Sequence, residues 1–152
     1  IITFILLFMS KYLDERNLYI TFANVNKKQI KYFTIMNKKQ TSVLIALATI
    51  AINNKEGFTV NAATLQPVTT GYAVAVADTQ NSFGLEGLAN VVKYVCDHPE
   101  ITAFGGWYNS KNNMFYFDAT VIVDDLAAAI ELGRINKQLA IYDLTNGVPI
   151  DL

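Results

Sequence analysis

The chain has 152 residues, 52% of them apolar and 16% charged, so it can bury a core and lacks the composition of a disordered protein. A net charge of −1 without a basic cluster argues against nucleic-acid binding, because that requires concentrated Lys and Arg to neutralise phosphates. One Cys and one His exclude an intrachain disulfide framework and a multi-cysteine zinc site, and no apolar run approaches the ~20 residues of a membrane span. We therefore expect no metal, no cofactor and no membrane segment.

The first 35 residues differ in composition from the rest. Twenty of them are Ile, Lys, Asn, Phe or Tyr, against 36 of the 117 residues that follow. AT-rich codons specify these residue types, and Met36 offers a credible coding start. We interpret residues 1–35 as upstream sequence translated in frame, or as an irregular, disordered extension. A genuine N-terminal strand or helix is the alternative. Residues 36–152 are then a single domain with a net charge of 7 − 11 = −4.

Residues 36–52 predict the first helix. A positive start at residues 38–39, followed by the apolar run SVLIALATIAI, is also typical of a signal peptide, which would make this an exported protein. The small residues that cleavage would need fall inside the apolar run, so we favour a buried helix. The hydroxyl of Thr41 or Ser42 can cap it by accepting a hydrogen bond from a first-turn amide.

Two strands and a second helix follow. The strands are predicted at residues 58–61 and 71–77, and the second alternates Tyr72 and two valines with three alanines. An all-alanine side permits close approach of a helix, so we expect this strand to be central and covered on both faces. The second helix runs from about residue 85 to 96, and Pro99 blocks its continuation. Its apolar stripe consists of Leu85, Leu88, Val92 and Val95.

Residues 101–125 predict a hairpin, since two aromatic and β-branched runs flank the turn formers NSKNN. One side of its second strand should face the core. We expect Asp118 to lie on the other, more open side, where a carboxylate stays hydrated. The predicted core side consists of Phe115, Phe117, Ala119, Val121 and Val123.

The last third predicts one more helix and one more hairpin. The helix starts after Asp124 or Asp125, either of which can cap it. Its expected buried seam is Leu126, Ala129, Ile130 and Gly133. Asn146 and Gly147 predict a two-residue turn with positive φ at both positions, and Pro149 predicts an edge strand. The order α-β-β-α-β-β-α-β-β is that of a single α+β domain with a mostly antiparallel sheet.

The junction DTQNSFG, residues 78–84, carries the main candidate ligand contacts. It lies where a strand ends and a helix begins, so its free amides favour an anion. Thr79, Gln80, Asn81 and Ser82 could hydrogen-bond a ligand. The simpler interpretation is that Asn81 or Ser82 caps the second helix while the others solvate a loop. The junction has neither the phosphate-loop pattern nor the three-glycine dinucleotide fingerprint.

Cys96 and His98 are a candidate nucleophile and base. Two positions apart on a helix, they point to different sides and cannot readily meet. We interpret them as a buried structural Cys and an exposed His.

Trp107, Tyr108, Tyr116 and Phe117 concentrate aromatic area in the first hairpin. Aromatic residues in a hairpin usually form core contacts or cross-strand pairs. If Trp107 and Tyr108 are exposed, they would instead form a recognition surface of large apolar area with polar tips.

Four segments carry a resemblance: TGYAVAV, TQNSFGLEGL, GGWYNSKNNMFYFDA and DDLAAAIELGRINKQLAIYDLTN. Together they resemble a group of small uncharacterised proteins encoded by bacteriophages and mobile elements of anaerobic gut bacteria. The resemblance covers about residues 40–152. It implies a phage or mobile-element setting and the bacterial cytoplasm, and it implies no activity and no catalytic residues.

We expect a small protein-binding accessory module, because no nucleophile–base pair, metal cluster or basic face is evident in the sequence. Its partner would be a host or phage protein, or a second copy of the chain. The expected contacts are Thr79, Gln80, Asn81, Trp107 and Tyr108. The enzyme alternative is a small-molecule hydrolase or transferase.

That enzyme would have its site at residues 78–84 and use Asp118 as a base. It requires Asp118 within hydrogen-bond reach of Ser82 or Thr79.

Overall fold

The structure, a computed structural model, describes residues 36–152. Within that range it contains three α-helices and a six-stranded antiparallel sheet, which confirms the predicted α+β class and the order α-β-β-α-β-β-α-β-β. The elements are α1 (Lys38–Asn53), β1 (Gly57–Asn61), β2 (Tyr72–Ala75), α2 (Gly84–Asp97), β3 (Ala103–Asn109), β4 (Met114–Val123), α3 (Leu126–Ile135), β5 (Ala140–Asp143) and β6 (Val148–Asp151). Our interpretation of residues 1–35 lies outside the described residues.

Helix α1 begins at a capping box. Asn37 Oδ1 accepts a hydrogen bond from the Gln40 amide at 2.9 Å, and Gln40 Oε1 accepts one from the Asn37 amide at 3.0 Å. The predicted caps Thr41 and Ser42 are wrong, because the helix starts earlier and their hydroxyls donate to backbone carbonyls one turn back. The helix itself is buried as predicted. Its core residues are Leu44, Leu47, Ala48 and Ala51.

The strands are ordered β1-β3-β4-β2-β5-β6. The longest strand, β4, pairs with β3 on one side and with β2 on the other, and β2 pairs in turn with β5. Strand β2 is therefore central, as predicted. Strand β6, which contains Pro149, lies at an edge of the sheet, also as predicted.

All three helices pack on one face of the sheet, called here the helical face. Helices α1 and α2 cover a first core cluster, and α3 covers a second. The first includes the predicted residues Phe115, Phe117 and Ala119, and the second consists of Val74, Ala129 and Ile141. Val74 and Val76 point the same way from β2 and its extension, yet they join different clusters, so both clusters lie on one face.

The opposite side of the sheet, called here the open face, is covered by no helix of residues 36–152. Ala73 and Ala75 point to this side. Our expectation of a helix against the alanines is therefore wrong, since α3 packs on the side of Val74. The physical reason is area: Tyr72 and Val74 offer a helix more apolar surface to bury than alanines do.

Helices α2 and α3 follow the sequence pattern closely. All four stripe residues of α2 are buried. Asp125 caps α3, since its Oδ1 accepts a hydrogen bond from the Ala128 amide at 2.8 Å. Ala129 and Gly133 are buried as predicted, but Leu126 is 40% exposed, because it lies in the first turn outside the second core cluster. No helix within residues 36–152 has both the length and the apolar character needed to cross a membrane.

The last hairpin turns differently from our prediction. Asp143 pairs with Val148, which leaves a four-residue loop, and only Gly147 of that loop has positive φ, at 69°. The Asp143 carboxylate accepts hydrogen bonds from the Thr145 amide and from both the side chain and the amide of Asn146. These bonds hold the pKa of Asp143 below its usual range. The predicted two-residue turn is wrong because this carboxylate organises a longer one.

Candidate functional site

The junction between β2 and α2 runs alongside β4 where β2 has ended. The Val76 amide donates to the Ala119 carbonyl at 2.9 Å, and the Phe117 amide donates to the Ser82 carbonyl at 2.8 Å. Phe83 then forms an isolated bridge with Tyr116. The junction therefore continues the sheet in place of a regular strand, and its polar residues are held by that role.

Thr79 is a structural residue of this junction. Its side chain is buried, and its hydroxyl donates to the Val76 carbonyl at 3.2 Å and accepts a hydrogen bond from the Ala119 amide at 3.0 Å. The hydroxyl thus supplies the acceptor that β4 lacks beyond the end of β2. Both of its hydrogen-bonding directions are used within the fold.

The other three candidate contacts of the junction do not converge. Gln80 Nε2 donates to the Asn136 carbonyl at the end of α3, at 2.9 Å. Asn81 is exposed and adopts a positive φ of 60°, which Asn tolerates better than most residues. Ser82 lies against α2, because a Cβ on Gly87 would be 2.5 Å from the Ser82 carbonyl carbon.

The predicted capping of α2 by Asn81 or Ser82 is wrong. The cap position belongs to Phe83, which makes no side-chain cap hydrogen bond. The Ser82 carbonyl is already bound by β4, and that bond fixes where the chain leaves the sheet. The helix therefore begins one residue later than a polar cap would allow.

Trp107 and Tyr108 lie on opposite faces of β3. Tyr108 packs against the first core cluster on the helical face, and its hydroxyl donates to Asn113 Oδ1 at 2.8 Å. Trp107 lies on the open face with 46% of its surface exposed. A joint recognition surface of the two is excluded, because neighbouring residues of a strand point to opposite sides.

Trp107 belongs instead to an aromatic cluster on the open face, formed with Tyr116 and Phe83. Trp107 stacks on Tyr116, its partner across β3 and β4, with ring centroids 5.0 Å apart and an interplanar angle of 16°. Phe83 packs edge-on against Tyr116 with ring centroids 5.7 Å apart, and 45% of the Phe83 surface is exposed. Our sequence analysis missed Phe83, although an apolar residue directly before Gly84 and the start of α2 was the available signal.

Asp118 lies on the open face beside this cluster. Its register partner on β3 is Gly105, and the Trp107 indole N–H donates to its carboxylate. Burial raises the pKa of Asp118 to about 6, and the hydrogen bond from Trp107 opposes that rise only in part. The face was predicted correctly, but the expected hydration is wrong, because neighbouring side chains displace water from the carboxylate.

Asp118 has no catalytic partner among the described residues. The Thr79 hydroxyl is engaged with backbone groups, and Ser82 lies towards α2 on the helical side. No hydrogen bond of residues 36–152 joins Asp118 to either hydroxyl. The site therefore offers a carboxyl with a pKa of about 6 to which neither of the predicted hydroxyls is hydrogen-bonded.

Cys96 and His98 form no pair either. Cys96 is exposed, so its predicted burial is wrong, because it lies one position beyond the buried Val95 and turns outward. His98 stacks on Tyr94 with ring centroids 4.0 Å apart, and the Nδ1 atom of His98 lies 2.8 Å from Glu100 Oε1. The part of the chain that the structure describes contains no group of three or more His, Cys, Asp or Glu residues able to hold a metal ion.

Comparison of the chain with protein-family models, with curated proteins and with solved structures finds no match.

Proposed function

We propose that residues 36–152 form a small protein-binding module that contacts its partner through the open face. One observation carries this proposal: Trp107 and Phe83 stand nearly half exposed on either side of Tyr116. Large aromatic side chains that are held rigidly on a surface are the residues that most often dominate binding energy in protein interfaces. The stacking and the edge-on contact fix these rings, so a partner need not order them.

The charge of the domain favours a protein partner over a nucleic acid. Exposed aromatic rings on a sheet can also stack on the bases of a single strand. Such sites need Lys and Arg to follow the phosphates, whereas residues 36–152 have a net charge of 7 − 11 = −4. A hydrolase or transferase is less well supported, since no hydrogen bond among residues 36–152 joins Asp118 to the predicted hydroxyls of Thr79 and Ser82.

The resemblance to phage and mobile-element proteins suggests a setting for this module. In that setting the partner is a host protein and the module acts in the bacterial cytoplasm. Self-association through the same face, and export of the protein, are the alternatives. Size-exclusion chromatography with light scattering detects the first, and N-terminal sequencing of the protein recovered outside the cytoplasm detects the second.

Site-directed photo-cross-linking tests the proposed contact face. The full chain carries p-benzoylphenylalanine in place of Phe83, or, as a control, in place of Leu139, which is 90% exposed and outside the aromatic cluster. We expect a defined cross-linked protein from host cells only with the photoreactive group at Phe83. We also expect Trp107→Ala to abolish that cross-link while Leu139→Ala leaves it intact. Equal products from both positions would contradict the proposal.

A further inference from the structure

We infer that the open face takes an arginine side chain of the partner protein, which pairs with the Asp118 carboxylate and stacks on the aromatic cluster. This inference rests on the proposed function and adds the chemistry of the partner.

The first argument is an uncompensated acid. Asp118 is half-buried, and within residues 36–152 its side chain accepts a hydrogen bond only from the neutral Trp107 indole. The ion pairs among residues 36–152 are Lys93 with Asp97 and His98 with Glu100, so none reaches Asp118. A carboxylate withdrawn from water without a cation is costly, and burial accordingly raises its pKa to about 6. An incoming cation would remove that cost.

The second argument is the ring beside it. Tryptophan is the side chain that attracts a cation most strongly through its ring face, and a guanidinium also stacks flat on it. Trp107 is held in place by Tyr116 on one side and by its hydrogen bond to Asp118. Nearly half of its surface nevertheless remains open. A planar cation can therefore meet both the ring and the carboxylate.

The third argument is the neighbouring strands, which present no bulky side chain opposite Asp118 and a further acceptor beyond it. Gly105 faces Asp118 across the strands and carries no side chain of its own on the open face beside Trp107. The hydroxyl of the buried Thr120 lies over Gly105, since a Cβ there would be 2.7 Å from its oxygen. Thr59 lies in register with Gly105 on the far side. A guanidinium has five N–H donors in a fork, so it can use a carboxylate and a hydroxyl together, which an ammonium does less well.

The experiment uses fluorescence, because Trp107 is the single tryptophan of the chain. The full chain at pH 7.5 is titrated with Nα-acetyl-arginine amide, with its neutral isostere Nα-acetyl-citrulline amide, and with Nα-acetyl-lysine amide. We expect a saturable change in emission with arginine and at least a tenfold weaker response with citrulline and with lysine. Equal responses to arginine and citrulline would overturn the inference, and a stronger response to lysine would overturn the choice of arginine.

Two carboxylate variants separate the site from general electrostatics. Asp118→Asn should weaken the arginine response at least tenfold, whereas Asp124→Asn, which removes an exposed charge elsewhere, should leave it within about twofold. Equal weakening by both variants would overturn the inference.

Wild-type protein at pH 5 gives the same test without a substitution, because Asp118 is then protonated and the response should fall. Tyr116, which stacks on Trp107, is the titratable side chain beside Asp118 on the open face. Asp78 on the junction accepts a hydrogen bond from Tyr94 of α2, so it lies towards the helical side. An unchanged response at pH 5 would count against Asp118.

The cross-linking experiment distinguishes this inference from the function on which it rests. If Trp107→Ala abolishes the cross-link from Phe83 but Asp118→Asn does not, the open face binds a protein without an arginine at Asp118, and only the inference fails. If neither variant reduces the cross-link, both fail.

Discussion

Asp118 defines the chemistry of the open face at the scale of a single residue. Its position on that face follows from strand alternation, which the sequence displays clearly. The burial of its carboxylate does not follow from the sequence, because it arises only when β3 and β4 pair in the register that brings Trp107 beside it. A carboxylate that should stay hydrated thus becomes a group that titrates near pH 6.

This raised pKa predicts a pH-dependent effect of Asp118→Asn on stability. Because the folded-state pKa of about 6 exceeds the ordinary 3.8, the folded state binds the proton more tightly, and Asp118 disfavours folding progressively as pH rises from about 4 to 6. We expect Asp118→Asn to raise the free energy of unfolding by on the order of 2 kcal/mol at pH 7.5. At pH 4.5 most of that gain should be absent.

Urea unfolding of wild type and variant at the two pH values measures this difference directly. Asp124→Asn serves as the control and should show no comparable gain at pH 7.5. A variant that is no more stable than wild type at pH 7.5 would rule out a desolvated carboxylate at this position.

At the scale of elements, the helix ends show where sequence reasoning stops. Asn37, Thr41 and Ser42 can all act as caps, and the choice depends on where the apolar face of α1 meets the core. The junction shows the same limit. The sequence predicts Thr79 to be a loop residue, but the Ala119 amide of β4 requires a hydrogen-bond acceptor there once β2 has ended. Periodicity predicts the elements, and long-range pairing decides their boundaries.

The capping box predicts opposite outcomes for two neighbouring substitutions. Asn37→Ala removes the side-chain acceptor for the Gln40 amide and should lower the free energy of unfolding by about 1 kcal/mol. Ser42→Ala should be neutral or slightly stabilising, because Ser42 is exposed and alanine has the higher helix propensity. Chemical denaturation of both variants measures these changes. A larger loss of unfolding free energy for Ser42→Ala than for Asn37→Ala would indicate that Ser42 caps the helix.

Close packing of the junction on α2 predicts opposite effects on stability for a second pair of substitutions. A Cβ on Gly87 would come within 2.5 Å of the Ser82 backbone, so Gly87→Ala should destabilise the fold by roughly 1–3 kcal/mol despite its better helix propensity. Asn90→Ala, at an exposed position of the same helix, should stabilise by a few tenths of a kcal/mol. Thermal unfolding separates the two, and a stabilising Gly87→Ala would contradict the observed contact.

At the scale of the whole molecule, the class and element order follow from the sequence, whereas the strand order and the position of the helices do not. Alternation in β2 identifies a valine side and an alanine side, but only tertiary packing decides that α3 takes the valines. The same decision leaves one side of β3 and β4 without a helix among the described residues. On that side Trp107 and Tyr116 of the hairpin and Phe83 at the start of α2 come together as one surface.

The availability of that surface is the central claim, and acrylamide quenching of Trp107 fluorescence in the full chain tests it most directly. The single tryptophan makes the signal specific to the open face. With 46% of its surface exposed, Trp107 in the native protein should be quenched at a substantial fraction of the rate of free N-acetyltryptophanamide. Quenching that stays negligible until denaturant unfolds the protein would mean that the open face is covered, and would contradict the account.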